Sequence, residues 1–168
     1  MPQTDFRQFA FDIPRIDATA KAVGRSPYWR LYTIENVLRV VVHSVLTVQV
    51  GPHWWTVAVA PDLDRQAKKF ESRYASNPWH GAQGRHLIYY LYLSDLGQIM
   101  REASQYFLPV MPDVDQWVPK IEQVRLPRNV VGHMNFPSAT DRKRIEVLYA
   151  DVKALASYLT GKVPLQIP

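Results

Sequence analysis

The chain contains no cysteine. That excludes disulfide staples, thiol nucleophiles and Cys-based zinc or iron-sulfur sites, and it suits a reducing compartment, so the cytoplasm is the simplest address. Long hydrophobic runs are missing too. The longest apolar stretch, Val40 to Val50, is interrupted by His43, Ser44, Thr47 and Gln49, too short and too polar to span a bilayer. Between Met1 and Arg15 no cationic segment leads into an apolar run, so neither a secretory signal nor a membrane association is expected. Internal repeats and low-complexity segments are likewise absent. What remains is 168 residues, 47% hydrophobic and 12% aromatic, enough for one domain with a real core. Twenty Lys and Arg against fifteen Asp and Glu give +5, a modest preference for polyanions such as nucleic acid.

The periodicity predicts an all-α protein, an up-and-down helical bundle of about five helices with a kinked fourth element. Residues 1–25 lack sustained periodicity and read as an N-terminal arm, in which Phe6, Phe9, Phe11 and Ile13 could pack. Ser26-Pro27 then gives a helix start, followed by Leu31, Ile34, Leu38, Val41, Val42 and Val45 at helical spacing up to Gly51-Pro52. A second helix is predicted from Pro61-Asp62 to Asn77-Pro78, with Leu63, Ala67, Phe70 and Tyr74 on one face. A third is predicted over Leu87 to Phe107, with Ile88, Leu91, Tyr92, Leu96, Ile99 and Ala103 inward. Between Pro109 and Pro127 four prolines predict short pieces joined by kinks, Pro127 opening a new short helix. Phe136-Pro137-Ser138 introduces the last helix, carrying Ile145, Leu148, Tyr149, Val152, Leu155, Ala156 and Leu159 to Gly161. The helical domain thus spans 26–161, with a tail over 162–168.

One short motif carries chemistry: Arg128-Asn129-Val130-Val131-Gly132-His133. On an ideal helix Arg128 and His133 stand roughly 140° apart, whereas Asn129 and His133, four positions apart, share a face. For both ends to reach one phosphate, the arginine must wrap or the histidine must lie where the helix frays. Gly132 would permit close backbone approach. An imidazole with pKa near ~6.5 can take a proton from a ribose 2′-hydroxyl or give one to a leaving 5′-oxygen. A guanidinium can clamp the phosphate bidentately and neutralise charge on its non-bridging oxygens, a task to which lysine is poorly suited. The competing reading is a histidine that merely caps helix carbonyls.

From about Ser26 to Leu159 the chain resembles the HEPN superfamily, particularly its Swt1-like branch. The resemblance rests on Glu35-Asn36-Val37-Leu38-Arg39, Gly51-Pro52-His53-Trp54-Trp55, Tyr90-Leu91-Tyr92-Leu93-Ser94-Asp95-Leu96 and the Arg128 to His133 motif. It implies a helical bundle, often a homodimer, acting as a metal-independent endoribonuclease in toxin-antitoxin, phage-defence or RNA-processing systems. It implies Arg128 and His133 as the catalytic pair, Asn129 as their polar companion, no cofactor, and RNA as the partner. Toxin members of another branch carry a tyrosine two positions after the histidine; here that residue is Asn135. An antitoxin or defence-system partner would be a separate polypeptide. Other members of the superfamily are catalytically silent binding modules, which is the alternative function.

Further residues have two readings each. Glu35 and Arg39, four positions apart, make either a surface pair worth ~0.3 to 0.5 kcal/mol or, as the resemblance implies, part of a cleft lining. Asp95 either orients a cationic site residue or faces solvent. Arg142-Lys143-Arg144 either attracts an RNA backbone or decorates the first turn of the last helix. Trp54-Trp55 and Tyr89, Tyr90 and Tyr92 could stack on bases, but core packing and a subunit interface fit better. His53, His80 and His86 lack the close spacing of metal ligands, so no metal site is expected.

Overall fold

The computed structural model describes residues 5–9, 12–77 and 79–168. Among them are seven helices and no strand. They are α1 (Ile13–Val50), α2 (Trp54–Ala58), α3 (Pro61–Ala75), α4 (Leu93–Glu102), α5 (Ser104–Phe107), α6 (Val114–Gly132) and α7 (Ala139–Thr160). Single 3-10 turns cover Phe6–Gln8 and Leu87–Tyr90. The all-α helical bundle read from the periodicity is the observed fold. In cross-section α1 lies beside α7 and α4, and α6 closes the ring by packing on both of these.

The core follows the predicted faces. Leu31, Ile34, Leu38, Val41, Val42 and Val45 of α1 are all buried, as are Ile145, Leu148, Val152, Leu155 and Leu159 of α7. Helix α1 stops at Gly51, whose φ of 104° is open to glycine and costly for other residues. Helix α7 starts at Ser138, whose hydroxyl accepts from the Asp141 amide at 3.1 Å. Between α4 and α6 the backbones approach closely: a Cβ on Gly97 would lie 3.4 Å from the Ile121 side chain. Beyond α7, Val163 is buried and the Gln166 amide donates to Ser44 Oγ at 2.8 Å, so the tail is docked on α1.

Four elements depart from the sequence reading. The arm is largely helix, because α1 begins at Ile13 and passes Ser26-Pro27 through a π turn over Gly24–Tyr28. A π turn rearranges the carbonyl ladder, which lets the helix continue past a residue without an N–H. Phe9 and Ile13 are exposed, while Phe11 and the Phe6 side chain lie outside the described residues. With this extension α1 is long and apolar enough to cross a bilayer by composition alone, and half of its most apolar window is buried in the bundle. The second helix ends at Ala75; Asn77 follows it, and Pro78 lies outside the described residues.

The predicted helix over Leu87 to Phe107 is divided into the 3-10 turn, α4 and α5. The break falls at Tyr92, whose backbone N–H is taken by Asp95 Oδ2 at 2.8 Å, an acidic residue in the first turn of α4. Tyr92 consequently points outward, 44% exposed, instead of inward. The proline-rich region behaves in the opposite way. Helix α6 runs unbroken through Pro119 and Pro127, so Pro127 opens no new helix. The carbonyls those prolines leave without donors belong to Asp115 and Gln123, both exposed residues that water can satisfy.

Candidate active site

Helix α6 delivers the motif to its own C-terminus. His133 is the C-cap residue, at φ −89° and ψ 20°, so the imidazole leaves the cylinder where the helix stops. Of the two geometries open to the sequence, the histidine at the helix end is the one observed. Behind it the Asn135 amide reaches the Val130 carbonyl at 2.9 Å and the Met134 amide reaches the Val131 carbonyl at 3.0 Å. That crossed pair is the Schellman closure, with Met134 at φ 60° where glycine is usual. Asn135 Nδ2 also donates to the His133 carbonyl at 3.0 Å. The His133 side chain is exposed and has no hydrogen-bond or ion-pair partner among the described residues.

Arg128, Asn129 and His133 line one open cavity of about 380 Å³, together with Tyr92, Leu93, Ser94 and Arg125. Arg125 is a member of this cavity outside the Arg128 to His133 motif. Its signal lies in the sequence: positions 125, 129 and 133 are spaced four apart and form one stripe on a helix. The cavity therefore holds two guanidinium groups, that of Arg125 paired with Glu122 at 2.8 Å, an amide, two hydroxyls and an unpartnered imidazole. A Cβ on Gly132 would meet Arg128 Nη1 at 3.6 Å, ordinary contact, so the glycine leaves room without being sterically demanded.

Arg128 is fixed from two sides. Its Nε lies 3.6 Å from Glu35 Oε2, and its guanidinium carbon sits 5.3 Å from the centre of the Tyr92 ring. Glu35 also accepts from Arg39, and Arg39 donates onward to the Leu91 carbonyl at 3.0 Å and to Asn36 Oδ1 at 3.1 Å. The Glu35 and Arg39 side chains are largely buried. The pair is thus a bridge from α1 to the break before α4 and to Arg128, and not a surface decoration.

Asp95 is half-buried and does a structural task. It accepts from the Tyr92 amide and from Gln66 Nε2 at 2.9 Å, and burial raises its carboxyl above the ordinary value, opposed by those bonds, by Ser94 and by the nearby charge of Arg128. It faces neither solvent alone nor His133; it starts the helix that carries the cavity's far wall. Arg142, Lys143 and Arg144 do not line the cavity. Arg142 donates to the Pro137 carbonyl at 2.8 Å and lies over Phe136, Lys143 pairs with Glu146, and Arg144 pairs with Asp141.

No family model matches the chain, and neither a curated protein nor a solved structure does so.

The remaining aromatic and histidine residues fall into two groups. Trp54, Trp55 and Tyr90 are buried, whereas Tyr89 is half-buried on the cleft. His43 and His86 pack ring to ring at 5.0 Å beneath Trp54. Each uses Nδ1 as an acceptor, His43 from Trp54 Nε1 at 3.2 Å and His86 from the Ile88 amide at 3.1 Å. Burial lowers both, and with His43 beside it His86 falls to about 4. Among the described residues no group of three or more Asp, Glu or His is placed to hold a metal ion.

Proposed function

We propose that the chain is a HEPN-type, metal-independent endoribonuclease that cleaves RNA by attack of the 2′-hydroxyl on the adjacent phosphate. The observation that carries this reading is the convergence of Arg128, Asn129 and the unpartnered His133 on one open cavity. In the reaction the 2′-oxygen forms a bond to phosphorus, the bond to the 5′-oxygen breaks, and a 2′,3′-cyclic phosphate is left. Arg128 clamps the non-bridging oxygens, since its Nε faces Glu35 and its terminal nitrogens remain for the phosphate. His133 carries the proton, either from the 2′-hydroxyl or to the leaving oxygen. Arg125 supplies a second positive charge along the backbone, and Tyr92 supports the Arg128 guanidinium. Glu35 and Arg39 act as positioning residues behind Arg128. A homodimer, a defence or toxin-antitoxin role and a cytoplasmic location belong to the same proposal by resemblance to the superfamily.

The test is cleavage of labelled single-stranded and transfer RNA in excess EDTA by the unmutated chain and by His133→Ala. New ends bearing 2′,3′-cyclic phosphate, absent with the variant, are the expected result. No cleavage by either across a broad RNA panel would replace the enzyme with a silent HEPN module that binds a protein or nucleotide.

A further inference from the structure

Arg128 also belongs to a second, larger space. Next to the His133 cavity, across Arg128, a cavity of about 680 Å³ opens between α1, the end of α6 and the turn at Leu87–Tyr90. Tyr28, Tyr32, Gln83 and Tyr89 form its walls, and Glu35 and Arg39 lie at its base. Arg128 is the one residue this cavity shares with the His133 cavity.

Its size and lining narrow the occupant. The volume is that of a small-molecule pocket, well beyond what a phosphate alone would fill. Tyr28 and Tyr32 stand four apart on one face of α1 and are 56% and 64% exposed, an arrangement that leaves aromatic surface open to a flat partner. Tyr89 lines the same space, its ring 5.8 Å from the Arg39 guanidinium. Gln83 donates to Tyr74 Oη at 2.6 Å, which leaves its amide oxygen to accept. An aliphatic ligand would leave the tyrosine faces and the Gln83 amide oxygen without a matched partner, and a simple anion would meet Glu35. A planar ring with polar edges, joined to a phosphate at the mouth, answers all of them.

We propose that this cavity receives the base of an unpaired nucleotide whose phosphate lies on Arg128, so that the substrate is single-stranded or looped RNA. The proposal rests on the ribonuclease reading for its reaction, but not for its ligand. A base seated between these tyrosines must leave any helical stack, so a paired nucleotide is excluded by geometry. Stacking on tyrosine makes Tyr32 and Tyr89 determinants of which strand is cut.

The experiment uses the full chain carrying His133→Ala, titrated with the four nucleoside 3′-monophosphates and, separately, with inorganic phosphate. At least one nucleotide is expected to bind about tenfold more tightly than phosphate, and Tyr32→Leu with Tyr89→Leu is expected to abolish that advantage while leaving phosphate binding unchanged. Circular dichroism of the double variant verifies that it is folded. Nucleotides that bind no better than phosphate, or equally well to the double variant, would overturn the pocket. The two readings separate cleanly. Tyrosine-dependent nucleotide binding without RNA cleavage by the unmutated chain would remove the ribonuclease and keep the pocket. Cleavage by the unmutated chain that is equal on paired and unpaired sites, or a preference for unpaired sites that Tyr32→Leu with Tyr89→Leu leaves intact when His133 is present, would keep the ribonuclease and remove the pocket.

Discussion

Glu35 and Arg128, 93 positions apart in the chain, meet at 3.6 Å between a carboxylate oxygen and the guanidinium Nε. Glu35 holds Arg39 at the same time, so one carboxylate serves two cations, one nearly buried and one at the mouth of the cleft. Removing it leaves Arg39 without its main counter-charge. Glu35→Ala is therefore expected to lower unfolding free energy by about 3 kcal/mol, at the lower end for a broken buried pair. Urea denaturation followed by circular dichroism measures this, and Glu35→Gln should lose clearly less.

Arg128→Lys tests geometry apart from charge. Lysine keeps the positive charge but lacks the flat fork and the stacking on Tyr92. RNA cleavage should fall about a hundredfold in kcat. The melting temperature should hardly move, since this side chain is 31% exposed. A variant with unimpaired turnover would show that Arg128 does not clamp the phosphate.

Arg125 and the basic trio of α7 make opposite forecasts. Arg125 shares the cavity with His133, so Arg125→Ala should reduce the slope of log affinity for RNA against log salt by about one. Neutralising Arg142, Lys143 and Arg144 together should change that slope less, because none of them lines the cavity. RNA retention that depends on the trio and ignores Arg128 would instead describe a binder that does not cut.

His86 gives the fold a pH dependence. In the folded chain its imidazole stays neutral down to about 4, whereas an unfolded histidine takes up its proton near 6.5. Between those values the unfolded chain binds more protons, so stability falls as pH is lowered from 6.5 towards 4. His86→Gln should flatten the melting temperature over that range. A slope equal to that of the unmutated chain would assign the pH dependence to other groups.

Met134 occupies a left-handed position, φ 60°, in which a side chain is strained. Met134→Gly should raise stability, by up to about 1 kcal/mol after glycine's own entropy cost. Thermal melts decide it, and a loss of stability would mean that the methionine side chain makes a compensating contact.

How far the sequence could be read depended on which physical signal governs each element. The faces of α1 and α7 are set by burial, and apolar spacing reports burial directly, so Ile34, Leu38, Val152 and Leu159 lie where the periodicity puts them. The motif was legible too, because four-residue spacing joins Asn129 to His133 whatever else happens. Prolines were over-read. Pro27, Pro119 and Pro127 each remove one donor, but a π turn or exposed carbonyls absorb that loss, and packing against α4 and α7 holds the helix. The opposite error occurred at Tyr92, where periodicity continues across a break made by one local hydrogen bond from its amide to Asp95. The Glu35 bridge to Arg128 and the cavity beyond it join distant parts of the chain, and no local pattern could report them.

Pro127 leaves a lasting mark on the timescale of α6. The helix lacks the rung that would tie residue 127 to Gln123, one residue before the arginine that faces the cleft. The final turn therefore rests on its packing and on the Schellman closure, with one rung fewer to hold it. Amide hydrogens of Arg128 to Gly132 should exchange with solvent sooner than those of Val152 to Leu159 in α7, where the ladder is complete.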